Sequence, residues 1–327
     1  MSDPGSLLGS WPTSGPPDPP LAAVREAVAR ALAEDVLPIG DLTAALVPES
    51  TTATVAVVSR QPGVLAGSLC AKEAFGEVDA SLVVDWRVAD GGVLVPGTVV
   101  AEVSGSLRSI LTAERTALNF LCHLSGIATL VARFVEVVTA ANPATRVLDT
   151  RKTTPGLRAL EKAAVRAGGG WNHRASLSDA VLVKDNHLGG LGIAEAVALA
   201  RRWWPGRMVE VECDRIEQVA EAVDAGASVV LLDNMDPAGV ARCVALVRER
   251  AVPGAVLVEV SGGVRLDTAG PLAAAGADLL SAGALTHSAP ALDLGLDLVR
   301  TNTGLRDGPA AGADEDTRGP APGPEEG

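Results

Sequence analysis

Residues 225–234 read AGASVVLLDN and residues 275–283 read AGADLLSAG. Each joins an Ala-Gly turn to a short run of Val or Leu that ends in polar or glycine residues. Glycine closes helices because it adopts the left-handed conformation a helix end requires. A short apolar run without polar alternation suits a strand covered on both faces, as in parallel sheets. The unit is therefore helix end, turn and buried strand, and it occurs twice. On either side stand similar runs: RVLDT (146–150), AVLVKDN (180–186), MVEVEC (208–213) and AVLVEVSGG (255–263), separated by helical segments. Six strands alternating with helices predict an α/β fold, either a parallel barrel or a doubly wound sheet. A full barrel has eight strands, so the count points to an incomplete, open barrel of six to seven strands.

Before residue 146 the rhythm differs. Leu21, Val24, Ala27, Val28, Ala31 and Leu32 recur at helical spacing and predict an amphipathic helix over 21–37. Val-rich stretches at 54–67 and 82–104, broken by QPG, DGG and VPG, predict short strands with turns. A helix is expected at about 109–124, with Ser125 capping another over about 126–141. Strands bunched between helices form a first α+β layer domain. Residues 1–20 and 304–327, rich in Pro and Gly, are expected to be disordered.

Composition narrows the function. The net charge of -13 argues against nucleic acid as the main partner. The chain shows no run of 18 apolar residues, so no membrane span is expected, and its N-terminus does not read as a signal peptide. Cys70, Cys122, Cys213 and Cys243 are scattered without metal-ligand spacing, which fits reduced thiols in a cytoplasmic protein. Aromatic residues make up 2% and hydrophobic residues 47%, so the core must be aliphatic. Only four of the 27 basic residues are lysines, and Lys152, Lys162 and Lys184 fall close together.

Nearly every barrel strand ends in polar groups or glycine, and barrel enzymes place their sites at the carboxyl ends of the strands. The pattern has three parts. Residues 151–184 hold seven Lys or Arg against two acids, with His173 adding a donor. Arginine forks bind carboxylates and phosphates through paired hydrogen bonds. Arg158, Lys162 and Arg166 fall at helical spacing and read as a solvated basic face. Arg151, Lys152, His173, Arg174 and Lys184 flank strands or the Gly168-Gly169-Gly170 turn and point to an anion pocket. The second part, Glu212 and Asp233 on adjacent strands, suits Mg²⁺, which prefers oxygen ligands and shares substrate phosphates; an ion-pair network with the nearby cations is the other reading. The third part is SGG (261–263) and SAG (281–283), whose glycines let backbone N–H groups approach a phosphate. His123 and His187 lack partners at metal-ligand spacing and read as structural or turn residues. The chain has no phosphate-binding GxxxxGK[ST] loop, GxGxxG, HExxH or GxSxG motif.

These stretches resemble the quinolinate phosphoribosyltransferases. The matches are LTAERTALNFLCHLSGIAT (111–129), DTRKTTPGLR (149–158), GGGWNHR (168–174), VLVKDNH (181–187), VEVEC (209–213), VVLLDN (229–234), EVSGGV (259–264) and SAGALTHS (281–288), with EDVLPIGDLT (34–43) and PGVLAG (62–67) before them. The resemblance implies an N-terminal α/β sandwich over 21–125, joined by 289–303, and an open barrel of phosphoribosyltransferase type II over 126–288. It implies transfer of phosphoribosyl from 5-phosphoribosyl 1-pyrophosphate to quinolinate with loss of CO₂, a step of NAD synthesis, and Mg²⁺ as the cofactor. It implies a homodimer in which Arg115 reaches the partner's quinolinate. Arg151, His173, Arg174 and Lys184 would hold the carboxylates, and Lys152 would lie between the substrates. Glu212 and Asp233 would face the ribose and metal, and Ser261, Gly262, Gly263 and Gly283 the 5′-phosphate. Two other readings stay open: a same-fold homologue with a different base or a molybdenum-uptake role, and an aldolase-like barrel forming a Schiff base on Lys184 or Lys152.

Overall fold

The computed structural model describes residues 18–302. The expected tails, apart from residues 18–20, lie outside them. The N-terminal part comprises α1 (Leu21–Val36), β1 (Thr52–Ser59), β2 (Gly63–Val64), α2 (Ser68–Val78), β3 (Val83–Trp86), β4 (Val93–Leu94) and β5 (Val99–Ser106). Then follow α3 (Leu107–Ala141), β6 (Arg146–Leu148), α4 (Arg158–Ala167), β7 (Val181–Val183), α5 (Asp185–Leu188), α6 (Ile193–Trp203) and β8 (Val209–Cys213). The chain continues through α7 (Ile216–Asp224), β9 (Val229–Asp233), α8 (Pro237–Arg250), β10 (Leu257–Ser261), α9 (Leu266–Ala274), β11 (Leu279–Ser281), α10 (Ala284–His287) and β12 (Leu294–Asn302).

Two main sheets result. One is antiparallel in the order β12-β1-β5-β3, so the last described strand returns to pair with the first. The other has six strands in the order β6-β11-β10-β9-β8-β7, and its recorded pairings are all parallel. These six are the runs read from the sequence. The sheet does not close: β6 and β7 are its edges. The chain before β7 covers the β6 edge, where Trp171 forms a parallel bridge to Leu148.

Strand alternation explains how the sheet carries both a core and a site. Side chains two apart share a face. One face of β8–β10 holds Val209, Val211 and Cys213, Val230 and Leu232, and Val258 and Val260, all buried in the apolar cluster. The other holds Glu210 and Glu212, Leu231 and Asp233, and Glu259 and Ser261. The parallel register aligns this face: Glu212 lies opposite Leu231, which lies opposite Glu259, and Asp233 lies opposite Ser261.

α3 differs from expectation. It is one helix of 35 residues, not two joined at a Ser125 cap. Ser125 faces sideways instead: its Oγ accepts from Ala66 N (3.0 Å) and donates to Ala66 O (3.1 Å). Gly126 is needed for close approach, because a Cβ there would lie 2.1 Å from Pro290 O. Both residues thus look like a break in the sequence while serving lateral packing in a continuous helix. By length and composition α3 could cross a membrane, with a mean hydropathy of 1.6 over its most apolar window. Half of that window is buried in this fold, where α3 packs against α2, α9 and α4. The helix also runs through the point, 125/126, where the sequence suggested a domain boundary.

Candidate active site

The carboxyl ends of the six parallel strands surround a cleft of about 360 Å³. Thr150, Arg151 and Lys152 line it from the segment after β6, His173 and Arg174 from the turn before β7, and Lys184 from the end of β7. Glu212, Asp233, Ser261, Gly262 and Ser281 line it from β8 to β11, and Leu182, Leu231 and Glu259 lie deeper along the strands. Nine of the twelve residues to which the resemblance gave a role therefore meet in one cavity. Gly263 and Gly283 flank the cleft without lining it; a Cβ on Gly283 would lie 2.8 Å from Lys152 Cδ. Arg115 is not brought in: it is an exposed residue of α3, outside the cleft of its own chain.

Charge is divided across the cavity. Among the described residues, Arg151, Lys152 and Arg174 have no carboxylate partner within 4.0 Å, and Arg151 Nε is buried without a hydrogen-bond partner. Burial first, and then the neighbouring Arg151 charge, push the Arg174 guanidinium below its ordinary value. Cations gathered this closely without an acid between them favour an anion. On the other wall, Glu212 is ion-paired to Lys184, and Asp233 Oδ2 accepts from Asn234 Nδ2 at 2.8 Å. So Lys184 faces the acids and is compensated, unlike the other three cations.

The turn between Asp233 and the glycines is conformationally specific. Asn234 takes a positive φ of 54°, which Asn tolerates better than most residues, and its N–H donates to Ser261 O (3.1 Å). Gly262 has φ 81° and could not carry a Cβ, which would fall 2.5 Å from Asn234 Oδ1 and 2.6 Å from Asp233 Oδ1. The glycine lets the β10 turn sit against the Asp233 carboxylate.

Beneath the cleft lies a cluster only partly anticipated. His173 Nε2 is 3.1 Å from Glu210 Oε2 and 3.6 Å from Glu259 Oε2. Burial, and then the adjacent Glu210, push the Glu259 carboxyl up to about 8, so it carries its proton at neutral pH. Burial opposes charge on His173, but the Glu210 hydrogen bond and the negative charge that the Glu259–Glu210 pair retains between its two carboxyls outweigh it, leaving its pKa raised. Potential ligand atoms of these three residues lie within 4.8 Å of one another. The proton on Glu259 offers a metal-free account of two carboxylates lying so close. In the sequence Glu259 stands only within EVSGGV, and its one local signal is a glutamate inside the otherwise apolar run of β10.

The basic face on α4 is not solvated, contrary to the sequence reading. Lys162 is buried, and its Nζ lies 2.5 Å from Asp149 Oδ1. Arg158 donates to Thr153 Oγ1, Ala175 O and Arg151 O. The helical spacing was right, but the face turns toward the segments that line the cleft. His123 proves structural, its Nε2 2.8 Å from buried Glu161 Oε1, while Glu161 Oε2 accepts from Thr154 N (3.1 Å). His187 Nδ1 accepts from Lys184 N (3.2 Å) in a turn. All four cysteines are free thiols.

An open parallel α/β barrel with cations at one side of its mouth and carboxylates at the other defines an enzyme acting on small polyanions. Comparison with known proteins narrows this class. Residues 41–125 match the N-terminal domain model of quinolinate phosphoribosyl transferase, and residues 127–297 match the C-terminal domain model. The chain belongs to this family. It is 43% identical to nicotinate-nucleotide pyrophosphorylase [carboxylating] of Mycobacterium leprae, over 84% of this chain and 97% of that one. It is 40% identical to the protein of that name from Rattus norvegicus, over 78% and 85% respectively. The solved structure of nicotinate-nucleotide pyrophosphorylase from Francisella tularensis superposes with a TM-score of 0.80 at 37% identity, covering 85% of this chain and 97% of that one.

Proposed function

We propose that this protein transfers phosphoribosyl from 5-phosphoribosyl 1-pyrophosphate to quinolinate, giving nicotinate mononucleotide, pyrophosphate and CO₂ in NAD synthesis. The observation that carries this reading is the cleft's division into an uncompensated cationic wall and an acidic, glycine-bearing wall. Quinolinate brings two adjacent carboxylates on a planar ring. Arg151 and Arg174, with His173 at the floor of the cleft and Lys184 reaching in from the acidic wall, suit that shape. The ribose hydroxyls suit Glu212 and Asp233. Backbone N–H groups at Ser261, Gly262 and Gly263, with Gly283 beyond them, suit the 5′-phosphate.

The chemistry follows from charge and placement. As the bond from ribose C1 to pyrophosphate breaks, C1 becomes oxocarbenium-like, and the Glu212 and Asp233 carboxylates lie on its side of the cleft. Lys152, exposed between the two walls, offsets negative charge on the leaving group. The arginines hold the pyridine nitrogen toward C1, so much of the catalysis is positioning. The nitrogen's lone pair forms the bond to C1 and the ring becomes cationic. The carbon–carboxylate bond then breaks, CO₂ leaves, and the ring carbon keeps the electron pair as an ylide that the ring cation stabilises. A proton from solvent completes the product. No dedicated base is required.

Two hard carboxylate donors on neighbouring strands, beside a site for phosphates, fit Mg²⁺. Glu212 and Asp233 would hold it, and it would supply charge neutralisation for the pyrophosphate. Free thiols support a cytoplasmic setting. The exposed position of Arg115 outside its own cleft supports a homodimer in which it enters the partner's site. We read 21–125 with 289–303 as the sandwich domain and 126–288 as the barrel, α3 being shared between them.

The reaction is tested by incubating the protein with both substrates and Mg²⁺ and measuring pyrophosphate and CO₂. Equal release of the two supports the reading. Borohydride trapping of substrate on Lys152 or Lys184 would instead indicate a Schiff-base enzyme.

A further inference from the structure

Behind the cationic wall of the cleft, a second group of charged side chains is buried and does not face it. Asp149 follows β6, and Lys162 lies on the inner face of α4; both are buried. Besides its contact with Lys162, Asp149 Oδ1 accepts from His173 N (2.8 Å), and its Oδ2 accepts from Asn172 Nδ2 (2.7 Å). Lys162 Nζ also donates to His173 O (2.8 Å), and Lys162 O accepts from Asn172 Nδ2 (3.0 Å). One ion pair therefore holds both the N–H and the C=O of His173. One turn away on α4, Arg166 donates to Asn172 Oδ1 (2.6 Å). On the other side, Arg158 spans Arg151 O (3.2 Å) and Ala175 O (3.1 Å).

We propose that Lys162 and Asp149 are positioning residues that fix the spacing of Arg151 and Arg174, and thereby set selectivity for a planar dicarboxylate. The inference rests on the quinolinate reading and deepens it. Arg151 and Arg174 belong to separate irregular segments, neither of them within a strand or helix. Such segments hold a side chain less firmly than regular elements do. α4 joins the two segments to a single rigid element through its basic face. Stability alone gives little reason for a buried charge pair, because desolvation offsets much of the attraction and apolar residues of similar size often do as well. An apolar pair could not hold two backbone groups of His173 and the Asn172 amide at once. Burial pushes Asp149 up and Lys162 down from their ordinary values, so both charges are held at a cost that a positioning role explains.

The test compares wild type, Arg174→Ala, Lys162→Met and the double variant Asp149→Asn/Lys162→Met. The double variant removes both charges and keeps the fold measurable if the single change leaves Asp149 intolerably unpaired. Tm, kcat, both KM values and quinolinate binding by calorimetry without the second substrate are measured. The expected result is a rise of up to about 100-fold in quinolinate KM and Kd in both Lys162 variants, with the KM for phosphoribosyl pyrophosphate unchanged. A fall in Tm and in active fraction with both KM values unchanged would overturn the proposal and leave a structural pair only. If wild type binds quinolinate and Arg174→Ala abolishes it while the folded Lys162 variants bind normally, this inference fails and the function stands. If wild type neither binds quinolinate nor turns over, the functional reading fails and takes this inference with it.

Discussion

Replacing Gly262 with Ala tests how tightly the acidic wall depends on its glycine turn. The backbone there has φ 81°, which costs an L-residue roughly 1–2 kcal/mol. The new Cβ would lie 2.6 Å from Asp233 Oδ1, where ordinary contact begins near 3.4 Å, so the carboxylate or the turn must give way by about 0.8 Å. A displacement near 1 Å in a reacting site costs on the order of 100-fold, equivalent to about 2.7 kcal/mol of barrier. The expected outcome is a fall of about that size in kcat/KM for phosphoribosyl pyrophosphate, with a modestly lower Tm. Quinolinate binding measured alone should be unchanged, because Arg151 and Arg174 stand on the opposite wall. Steady-state kinetics with each substrate varied in turn, alongside calorimetry for quinolinate, separate the two effects. A folded variant with unchanged phosphoribosyl pyrophosphate kinetics would refute the placement of that substrate against Asp233 and Gly262.

Other outcomes follow from the same geometry. Glu259 has its folded pKa raised to about 8 from an ordinary 4.5. Between these values the unfolded chain has lost a proton that the folded chain keeps, so this group makes stability fall as pH rises, by up to about 1.4 kcal/mol per pH unit, and the loss levels off above 8. Glu259→Gln does not titrate, so denaturant titrations at pH 5.5 and 8 should show its stability relative to wild type improving at the higher pH; an unchanged gap would contradict the shift. Gly126→Ala forces a Cβ against Pro290 O and should destabilise the fold by about 1–3 kcal/mol, read as a lower Tm. If Arg115 acts across a dimer, refolding Arg115→Ala chains with Lys152→Ala chains should restore activity that neither has alone, because a mixed dimer contains one intact site.

The sequence made the catalytic layer legible because parallel strands carry their chemistry at one end. Each apolar run stops at a residue such as Lys184, Asp233 or Ser261, and the register then aligns those ends. Less legible were features that depend on partners distant in the chain. Lys162 looked solvated because its spacing on α4 fits an exposed face; Asp149 and His173, 13 and 11 positions away, turn that face inward. Ser125 and Gly126 looked like a helix break because the segments they contact, Ala66 and Pro290, are far off in sequence. Glu210 and Glu259 sit inside apolar strands, where local patterning gives no indication that they converge on His173. Arg115 had a role only through resemblance, and the single chain leaves it on the surface.

The central claim is that the uncompensated cations bind quinolinate for phosphoribosyl transfer. Its most direct test is the formation of nicotinate mononucleotide from quinolinate, phosphoribosyl pyrophosphate and Mg²⁺, by wild type and by Arg174→Ala. The account predicts product from wild type and a collapse of quinolinate-dependent turnover in the variant. No product from wild type, or equal turnover by Arg174→Ala, would contradict it.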